Sequence, residues 1–285
     1  MEKPSKPTCL FAGFGPLALH CLPVVEKHGY QIKHVLTHST ENTSEKSLMA
    51  HCLDQGIPHS LHDLRKKQLA AGELRANLLV SVNYRYILPD FVLSYFDRKL
   101  NLHGSLLPKY RGRTPHVWAI INGETKTGVT CHVMDDRVDY GDIVHQTEIS
   151  ISPRHTGADI IHEFEKIYPE CLDAALKKMA SGFIPVPQDH SMATYFGKRT
   201  PDMGHIDFTK TPRAIVNFIR AQAHPYPGAY CFLSNGRRLT VNKAEEYMGD
   251  QSNIPPLGLI RQYNGGFLAG CEAGAIVFSD FHLEN

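Results

Sequence analysis

The stretch Cys9-Leu10-Phe11-Ala12-Gly13-Phe14-Gly15-Pro16 has the pattern of a strand, a tight turn and the start of a helix. Its apolar residues predict a buried strand, and proline is favoured in the first turn of a helix. A strand that passes through a glycine turn into a helix is typical of a β-α-β unit. The stretch therefore predicts a Rossmann-like parallel sheet covered by helices on both faces.

The next residues continue this alternation of strands and helices. Ile32–Thr37 predicts the second strand, and Ser44–Gln55 predicts a helix because its apolar side chains share one face. Leu78–Val82 is apolar enough for a central strand buried on both faces, and Lys99–Leu102 predicts a further short strand. We therefore expect an α/β fold in this part of the chain.

A long helix and a loop-rich segment follow. Apolar residues recur at helical spacing from Thr156 to Ala180, and we expect Pro169 to kink or split this helix. Residues 183–211 are rich in proline, glycine, aspartate and histidine, which predicts a linker across the surface. A domain boundary is expected near this linker.

The C-terminal residues predict an antiparallel β domain. Thr211-Pro212 is typical of a helix start, and Ser234-Asn235-Gly236-Arg237 between alternating runs predicts a hairpin. Apolar runs at 257–260, 267–269 and 275–278 predict three more strands, and together they favour a small β-barrel. We therefore predict a catalytic domain over residues 1–190, a linker over 191–210 and a C-terminal helix with a barrel over 211–285.

The charge balance argues against a large polyanionic partner. Lys and Arg number 30 and Asp and Glu number 29, so the chain lacks the general basic field that holds a nucleic acid. The sequence has no apolar run of roughly 18 residues, and residues 1–7 lack the apolar core of a secretion signal. We therefore predict a cytoplasmic protein that does not enter a membrane.

The cysteines and histidines predict no metal site. Seven cysteines are scattered singly, without a Cys-x-x-Cys pair, which fits neither a disulfide framework nor structural zinc. The neighbours His51-Cys52 and Cys131-His132 cannot chelate one ion on a strand, since adjacent side chains point to opposite faces. We expect buried, reduced thiols.

The turn Gly13-x-Gly15-x-x-Ala18 matches a loose dinucleotide-binding fingerprint. That fingerprint also requires an acidic residue about 20 residues later for the ribose. The second strand ends instead in Thr37-His38-Ser39-Thr40. The pattern therefore favours a tight turn that packs helix against strand over a nicotinamide nucleotide site.

The richest chemistry lies in residues 101–113, Asn101-Leu102-His103-Gly104-Ser105-Leu106-Leu107-Pro108-Lys109-Tyr110-Arg111-Gly112-Arg113. Asn101 and His103 are two residues apart at the end of a predicted parallel strand, so their side chains share one face at the edge where ligands bind. An amide beside an imidazole can hold an oxyanion and move a proton, which acyl transfer needs. The acidic loop from Asp135 to Asp142 would supply a carboxylate that orients the imidazole.

Further positions extend the pattern of this run: Trp118, Asn122-Gly123-Glu124, Thr127–Thr130, Met134, Asp139-x-Gly141-Asp142, Arg199–Phe208 and His224–Ala229. Together with residues 101–113 they resemble the formyltransferases that use 10-formyltetrahydrofolate. The last two segments are similar to the linker and the following turn of the two-domain members. The resemblance covers nearly the whole chain, and it implies a folate-dependent N-formyltransferase.

The resemblance implies a catalytic triad of Asn101, His103 and Asp139. In that mechanism an amine attacks the formyl carbon, and Asn101 and the protonated His103 stabilise the tetrahedral oxyanion. The imidazolium then protonates the departing folate amine. Asp139 would orient the imidazole and favour its protonated form.

The resemblance also implies where the two substrates bind. The folate positions are Tyr86, Ile87, Leu88, Arg113 and the loop residues Asp135, Asp136, Arg137 and Val138. A pterin needs flat apolar walls and backbone hydrogen bonds, which residues 86–88 could supply. For the phosphates of the acceptor we predict Lys109, Arg111 and the turn residues Gly13 and Gly15 at a helix N-terminus.

Three interpretations of the acceptor fit the resemblance. The first is an amino sugar on a nucleotide diphosphate, as in enzymes similar to the aminoarabinose formyltransferase of lipopolysaccharide biosynthesis. The second is methionyl-tRNA, and the third is a 10-formyltetrahydrofolate hydrolase or folate-binding module, which would usually bring a further regulatory domain. Residues 211–285 contain six basic and six acidic residues, and residues 13–29 carry no basic insertion. We therefore favour the nucleotide sugar over nucleic acid, in an enzyme whose helix or barrel faces could form a homodimer.

Overall fold

The structure is a computed structural model that describes residues 6–38, 48–61 and 75–284. The chain divides into two compact units. The first unit draws on the ranges 1–112, 128–148 and 163–195, and the second on the ranges 113–127, 149–162 and 196–285. Each unit is therefore assembled from separate segments of the chain.

The first unit is built on a seven-stranded sheet with the strand order β3-β2-β1-β4-β5-β7-β8. These strands are β1 (Thr8–Gly13), β2 (Gln31–Leu36), β3 (His59–Ser60), β4 (Ala76–Val82), β5 (Phe96–His103), β7 (Lys126–Val133) and β8 (Ile143–Ser150). Neighbours from β3 to β5 are parallel, whereas β7 runs antiparallel to β5. The predicted Rossmann-like sheet is confirmed, with a change of strand direction after β5.

Two very short strands, β6 (Arg111–Gly112) and β9 (Tyr195–Phe196), pair with each other. The α-helices of the described ranges are α1 (Gly15–Lys27), α2 (Leu48–Asp54), α3 (Asp90–Leu93), α4 (Pro115–Ile121), α5 (Gly157–Ala180) and α6 (Pro212–Ala221). Pro16 lies in the first turn of α1 as predicted, because a backbone N–H there would have no intrahelical acceptor. Of the predicted helix over residues 44–55, α2 is described, and residues 44–47 lie outside the described ranges.

We expected Pro169 to kink or split helix α5; the helix continues through this proline, so the split does not occur, and the kink stays a prediction. An interior proline costs about 3 kcal/mol when nothing compensates for it. Here Phe164 and Ile160 are buried before the proline, and Cys171 and Leu172 are buried after it. Packing on both sides therefore keeps the helix in one piece.

Residues 183–211 are more regular than the predicted surface linker. Short 3-10 helices form at His190–Met192 and Pro201–Gly204, and β9 lies between them. The backbone N–H of Arg111 donates to the carbonyl of Thr194 at 2.8 Å, which ties the segment to β6. Gln188 is only 5% exposed, so this part of the segment packs into the first unit.

The second unit contains a five-stranded antiparallel sheet with the order β10-β11-β14-β13-β12. Its strands are β10 (Ala229–Phe232), β11 (Arg238–Glu246), β12 (Ile260–Tyr263), β13 (Gly266–Cys271) and β14 (Gly274–Leu283). The Asn-Gly hairpin joins β10 to β11 as predicted. Strand β12 begins only at Ile260, because Leu257 forms a single isolated bridge to Gly270 while its neighbours turn.

Helix α6 covers this sheet with its apolar face. The side-chain oxygen of Thr211 accepts a hydrogen bond from the N–H of Ala214 at 3.4 Å, so the predicted helix start is confirmed. Ile215 and Ile219 pack in one cluster with the strand residues Leu239 and Phe278. The antiparallel C-terminal domain of the predicted fold class is therefore present.

All seven cysteines are free and buried. Burial raises the pKa of the thiols of Cys52, Cys171 and Cys271 to about 11, because a thiolate loses hydration in the interior. None of the helices in the described ranges is both long and apolar enough to cross a membrane.

Candidate active site

Strand β5 ends with the two side chains that the sequence singled out. Asn101 and His103 lie in the last three residues of β5, which is parallel to β4. The neighbouring strand β7 runs antiparallel, and its register places His132 opposite Asn101 and Thr130 opposite His103. The site therefore combines the carboxyl end of a parallel strand with an antiparallel neighbour.

His103 is held between a carbonyl and a carboxylate. Its Nε2 lies 2.8 Å from the carbonyl oxygen of Tyr110, and its Nδ1 lies 3.4 Å from Oδ1 of Asp139. A carbonyl oxygen only accepts, so Nε2 carries a proton and donates it. A second proton on Nδ1 would face the carboxylate, and a neutral ring would instead turn a lone pair toward it. This arrangement suits an imidazole that is charged during the reaction.

Asp139 lies in the loop between β7 and β8 and accepts contacts with both carboxylate oxygens. Oδ2 accepts the backbone N–H of Gly112 at 2.8 Å, and Oδ1 faces His103 and, at 3.7 Å, His132. Burial opposes ionisation of this carboxyl, but the charge of His103 and the hydrogen bond from the Gly112 amide outweigh it. They hold the pKa of Asp139 well below its ordinary value.

His132 is a member of the site that the sequence reasoning missed. It is 2% exposed, its Nδ1 donates to the carbonyl of Val133 at 2.9 Å, and its Nε2 lies 3.0 Å from Nδ2 of Asn101. Because Nδ1 is the donor, Nε2 of the neutral ring accepts from Asn101 and fixes the orientation of that amide. The only signal was its place in a strand, and its partner became visible only through the β5–β7 register.

The loop that follows β5 is fastened by a small polar network. The hydroxyl of Thr130 donates to the carbonyl of Ser105 at 2.7 Å and accepts the N–H of Leu107 at 3.1 Å. The N–H of Tyr110 donates to the hydroxyl of Thr194 at 2.8 Å, although Tyr110 has a positive φ of 60°. These contacts hold the carbonyl of Tyr110 where it anchors His103.

The segments predicted to bind the pterin present apolar side chains. Leu88 is 2% exposed and belongs to the core, whereas Ile87 is 56% exposed and Val138 is 40% exposed. Large exposed apolar side chains are suited to cover a flat heterocycle. Arg137 pairs with Asp135 at 2.8 Å and lies over the ring of Tyr140, so both are engaged inside the acidic loop. Tyr86 is half-buried, and Asp136 and Arg113 are exposed.

Arg111 was predicted to contact the phosphates of the acceptor, but its side chain is fully buried. One Nη donates to Oε1 of Gln188 at 2.6 Å and lies 2.9 Å from Nδ1 of His190, and the other donates to the hydroxyl of Tyr195. A guanidinium without exposed surface cannot reach a bound phosphate. The expectation is corrected in favour of a supporting position, while Lys109 remains exposed.

The turn after β1 is shaped by close packing. A Cβ atom at Gly13 would lie 2.6 Å from Cβ of Ala18, so a side chain there would push α1 away from the strand. The N–H of Phe14 donates to the carbonyl of Val82 at 3.2 Å and is engaged in the sheet. Gly15 has a φ of +71°, and a Cβ atom added there would meet no atom within 4 Å. The role of Gly13 and Gly15 in phosphate binding stays a prediction.

Within the part of the chain that the structure describes, no group of three or more His, Cys, Asp or Glu side chains is arranged to hold a metal ion. The chemistry that the arrangement supports by itself is proton movement and stabilisation of an oxyanion.

Three solved structures share the fold over most of their length. WlaRD, a sugar 3N-formyl transferase crystallised with dTDP and 5-N-formyl-THF, is 21% identical with a TM-score of 0.78, covering 96% of this chain and 98% of its own. An N-formyltransferase from Helicobacter canadensis, in complex with folinic acid and dTDP-3-aminofucose, is 19% identical with a TM-score of 0.75, covering 96% and 99%. A sugar N-formyltransferase from Shewanella sp. is 19% identical with a TM-score of 0.69, covering 85% and 99%.

Sequence profiles identify both parts of the chain. The profile of formyl transferases matches residues 37–176, and the profile of the formyl transferase C-terminal domain matches residues 198–285. The two profiles occur in sequence along the chain, and the first contains Asn101, His103, His132 and Asp139. The chain therefore belongs to the formyl transferase family and carries both the formyl transferase domain and its C-terminal domain.

Proposed function

We propose that this formyl transferase moves the formyl group of 10-formyltetrahydrofolate to the primary amine of an amino sugar linked to a nucleotide diphosphate. The observation that carries the proposal is the group of side chains at the end of β5, in which Asn101 is hydrogen-bonded to His132 and Asp139 faces His103 at 3.4 Å and His132 at 3.7 Å. It combines an amide donor with an imidazole that faces a carboxylate. Acyl transfer to an amine needs such groups to stabilise an oxyanion and to transfer a proton. The formyl donor is a substrate of this reaction.

In the proposed reaction the neutral amine attacks the formyl carbon, and the bond from that carbon to the folate nitrogen then breaks. The amine loses a proton, the folate nitrogen gains one, and the products are a formamide and tetrahydrofolate. Asn101 uses one N–H to reach His132 and retains the second for the oxyanion, since an amide nitrogen has two donors.

We assign delivery of the proton to Nδ1 of His103. Nε2 donates to Tyr110 at 2.8 Å, whereas the distance from Nδ1 to Asp139 is 3.4 Å. A strong charge-assisted hydrogen bond is shorter, at about 2.7–2.9 Å. The proton on Nδ1 is therefore held less tightly, and it can pass to the folate nitrogen while Nε2 keeps the ring in place.

Two observations support a nucleotide-linked acceptor. Residues 211–285 carry six basic and six acidic side chains, so this region lacks the positive field that grips the phosphates of a tRNA. Two of the similar structures contain dTDP or dTDP-3-aminofucose together with a formylated folate. A nucleotide diphosphate needs only a few local cations and backbone amides, for which exposed Lys109 and the turn at Gly15 are the candidates.

Narrower parts of the interpretation belong to the same proposal. We place the catalytic role in residues 1–190, and we propose a cytoplasmic location, which is supported by two charged substrates that do not cross a lipid bilayer unaided. Use of the product in lipopolysaccharide is supported only by the resemblance to aminoarabinose formyltransferases. A homodimer is a further proposal, which light scattering of the purified protein would test.

The direct test is to incubate the purified enzyme with 10-formyltetrahydrofolate and a panel of dTDP- and UDP-linked 3-amino and 4-amino sugars, with methionyl-tRNA in parallel. We expect one class of amino sugar to gain a formyl group, as measured by mass spectrometry. Formylation of methionyl-tRNA, with every sugar refused, would replace this proposal by the tRNA alternative. Hydrolysis of the formyl donor at an equal rate without any amine would favour the hydrolase.

A binding experiment separates the acceptor from the donor. The melting temperature is measured with a reduced folate and then with dTDP, UDP, GDP or tRNA added, because a ligand that binds the native state stabilises it. We expect a nucleoside diphosphate, and no tRNA, to raise the melting temperature further.

A further inference from the structure

We infer that Gln188 is a positioning residue for the proposed formyl transfer and holds the Asp139 loop against the buried guanidinium of Arg111. The inference rests on the proposed function. Gln188 lies in the segment that the sequence predicted to be a surface linker, yet it is 5% exposed. It touches both the loop of the candidate catalytic carboxylate and an arginine that has no exposed surface.

On one side, Gln188 fixes the backbone of the loop. Its Nε2 donates to the carbonyl of Asp139 at 3.0 Å and to the carbonyl of Gly141 at 2.7 Å. Asp139 has a φ of 53°, in the left-handed region that costs a residue with a side chain about 1–2 kcal/mol. A conformation of this kind persists only where its surroundings determine it. The two hydrogen bonds from Gln188 supply such a constraint at the residue that faces His103.

On the other side, Gln188 partners a buried charge. Its Oε1 accepts from Nη2 of Arg111 at 2.6 Å, and the further guanidinium contacts go to His190 and Tyr195. In the ranges that the structure describes, Arg111 forms no ion pair with a carboxylate, and its Nε has no partner. A buried guanidinium needs hydrogen-bond acceptors, and the amide oxygen of Gln188 is one of them.

These two sides leave the amide only one orientation. Arg111 has only donors, so the amide oxygen must face it, and the carbonyls of Asp139 and Gly141 only accept, so the amide nitrogen must face them. The backbone N–H of Gly112, next to Arg111, donates to the Asp139 carboxylate at 2.8 Å. The arginine thus orients Gln188, and strand β6 and Gln188 together set both the backbone and the carboxylate of Asp139.

The substitution Gln188→Glu separates the two contacts. Glutamate keeps an oxygen for Arg111, but it has no donor for the carbonyls of Asp139 and Gly141 and would repel them. Gln188→Met removes both contacts. If Gln188 serves only as a partner of Arg111, the Gln188→Glu variant will keep the wild-type kcat and only Gln188→Met will lose activity. If it positions Asp139, glutamate and methionine will both lower kcat, by about 10-fold to 100-fold, with little change in KM.

The pH profile of kcat provides the readout that a purely structural role would not move. We expect both variants to move the basic limb to lower pH, as Asp139→Asn should, because a displaced carboxylate no longer supports the charged imidazole of His103. Gln222→Glu is the matched control, since Gln222 is 5% exposed and also accepts from an arginine, Arg199, while donating to a backbone carbonyl. It should leave the profile unchanged.

A double-mutant cycle tests the same coupling without any turnover. The free energy of unfolding is measured for the wild type, Gln188→Met, Asp139→Asn and the double variant, and contacting residues that act together give non-additive changes. Additive changes, or wild-type kcat and pH profile in Gln188→Glu, would overturn the inference. A wild-type enzyme that formylates no amine would refute the proposed function instead, and the cycle would still decide on Gln188.

Discussion

The carboxyl ends of the parallel strands form two contrasting regions. At the end of β5, polar groups are hydrogen-bonded: the side chain of Asn101 to His132, and the ring of His103 to the backbone carbonyl of Tyr110, beside Asp139. After the ends of β1, β2 and β4, aromatic rings dominate. His38 stacks on Tyr84 with centroids 4.7 Å apart, and Arg85 lies 4.0 Å from the ring centre of Phe14.

The difference indicates that two parts of one sheet edge can serve different functions. Hydrogen bonds between buried polar groups require a defined direction. When one partner is lost, the other stays buried without a hydrogen bond, which costs stability. Ring contacts tolerate small displacements, and each is worth about 0.5–1.5 kcal/mol beyond burial. We therefore expect the β5 end to control the chemical step and the β1–β4 end to control shape and affinity.

The largest effect is expected from the candidate catalytic residues. His103→Ala and Asn101→Ala should each lower kcat by about 10²–10⁴-fold, because each removes a proton-transfer or oxyanion contact. Tyr84→Ala at the other end should change the rate by less than about tenfold. Steady-state kinetics of formyl transfer measures both, and circular dichroism checks the fold.

His28→Ala is the matched control for His103→Ala. His28 also lies beside a carboxylate, with Nε2 3.0 Å from Oδ1 of Asp173, but both belong to the ion-pair cluster with Lys27 and Lys177. We expect its kcat to equal that of the wild type. Near-normal turnover of His103→Ala would show that the reaction centre lies elsewhere.

Asp139→Asn should have the next largest effect. The amide keeps the size of the side chain but removes the charge that faces the ring of His103. The protonated imidazole then loses support, so the basic limb of the activity profile should move to lower pH. The rate is measured across the pH range with saturating substrates. A profile of unchanged shape would contradict the coupling of these two residues.

Alanine substitutions at one glycine in each region compare how strongly the two regions resist an added side chain, measured as a change in the free energy of unfolding. A Cβ at Gly141 would lie 1.9 Å from the carbonyl oxygen of Val133, so Gly141→Ala requires the backbone to move and should destabilise by about 1–3 kcal/mol or more. Gly15→Ala meets no atom within 4 Å, and only its φ of +71° opposes it, at about 1–2 kcal/mol. Urea unfolding compares them, and Gly15→Ala should retain more activity.

The smallest effect concerns acid unfolding. The pKa of Asp139 is lower in the folded protein than its ordinary value, so the ionised carboxylate stabilises the fold above about pH 4, and this stabilisation is lost as the pH falls further. The difference in unfolding free energy between the wild type and Asp139→Asn should therefore shrink on acidification. A difference that does not depend on pH would contradict this linkage.

Asp173 provides the comparison for that experiment. Hydrogen bonds from Lys177 and His28 lower its pKa as well, but its partners Lys27 and Lys177 are largely exposed. Salt screens exposed pairs more than buried ones. Added salt should therefore weaken the pH-dependent contribution of Asp173 more than that of Asp139.

Local sequence patterns were sufficient for most elements. The strand and turn at residues 9–16, the proline start of α1 and the Asn-Gly hairpin at 235–236 depend on neighbours in the chain, and each is confirmed. The split that was one of the two alternatives at Pro169 does not occur, because the local cost of a proline does not include the packing on both sides. The predicted strand at residues 257–260 was placed too early, because apolar content alone does not define which residues pair with a neighbouring strand.

The candidate site shows the same limit. Asn101 and His103 were found from their spacing, and the structure brings them together with Asp139, while their roles stay proposals. His132 was missed because its partner depends on the β5–β7 register. Arg111 was misjudged because a basic residue in a polar run resembles a surface contact, although its side chain is buried.

The sequence by itself determined the α/β and antiparallel fold class, the residue types for acyl transfer and the resemblance to folate-dependent formyltransferases, because these depend on short-range periodicity and on motifs. The tertiary structure alone showed that His132 meets Asn101 and that Gln188 spans from Arg111 to the Asp139 loop. Such contacts join residues separated by 31, 77 and 49 positions in the chain. The direction of a buried hydrogen bond is set only once distant strands and loops have packed, so no local pattern records it.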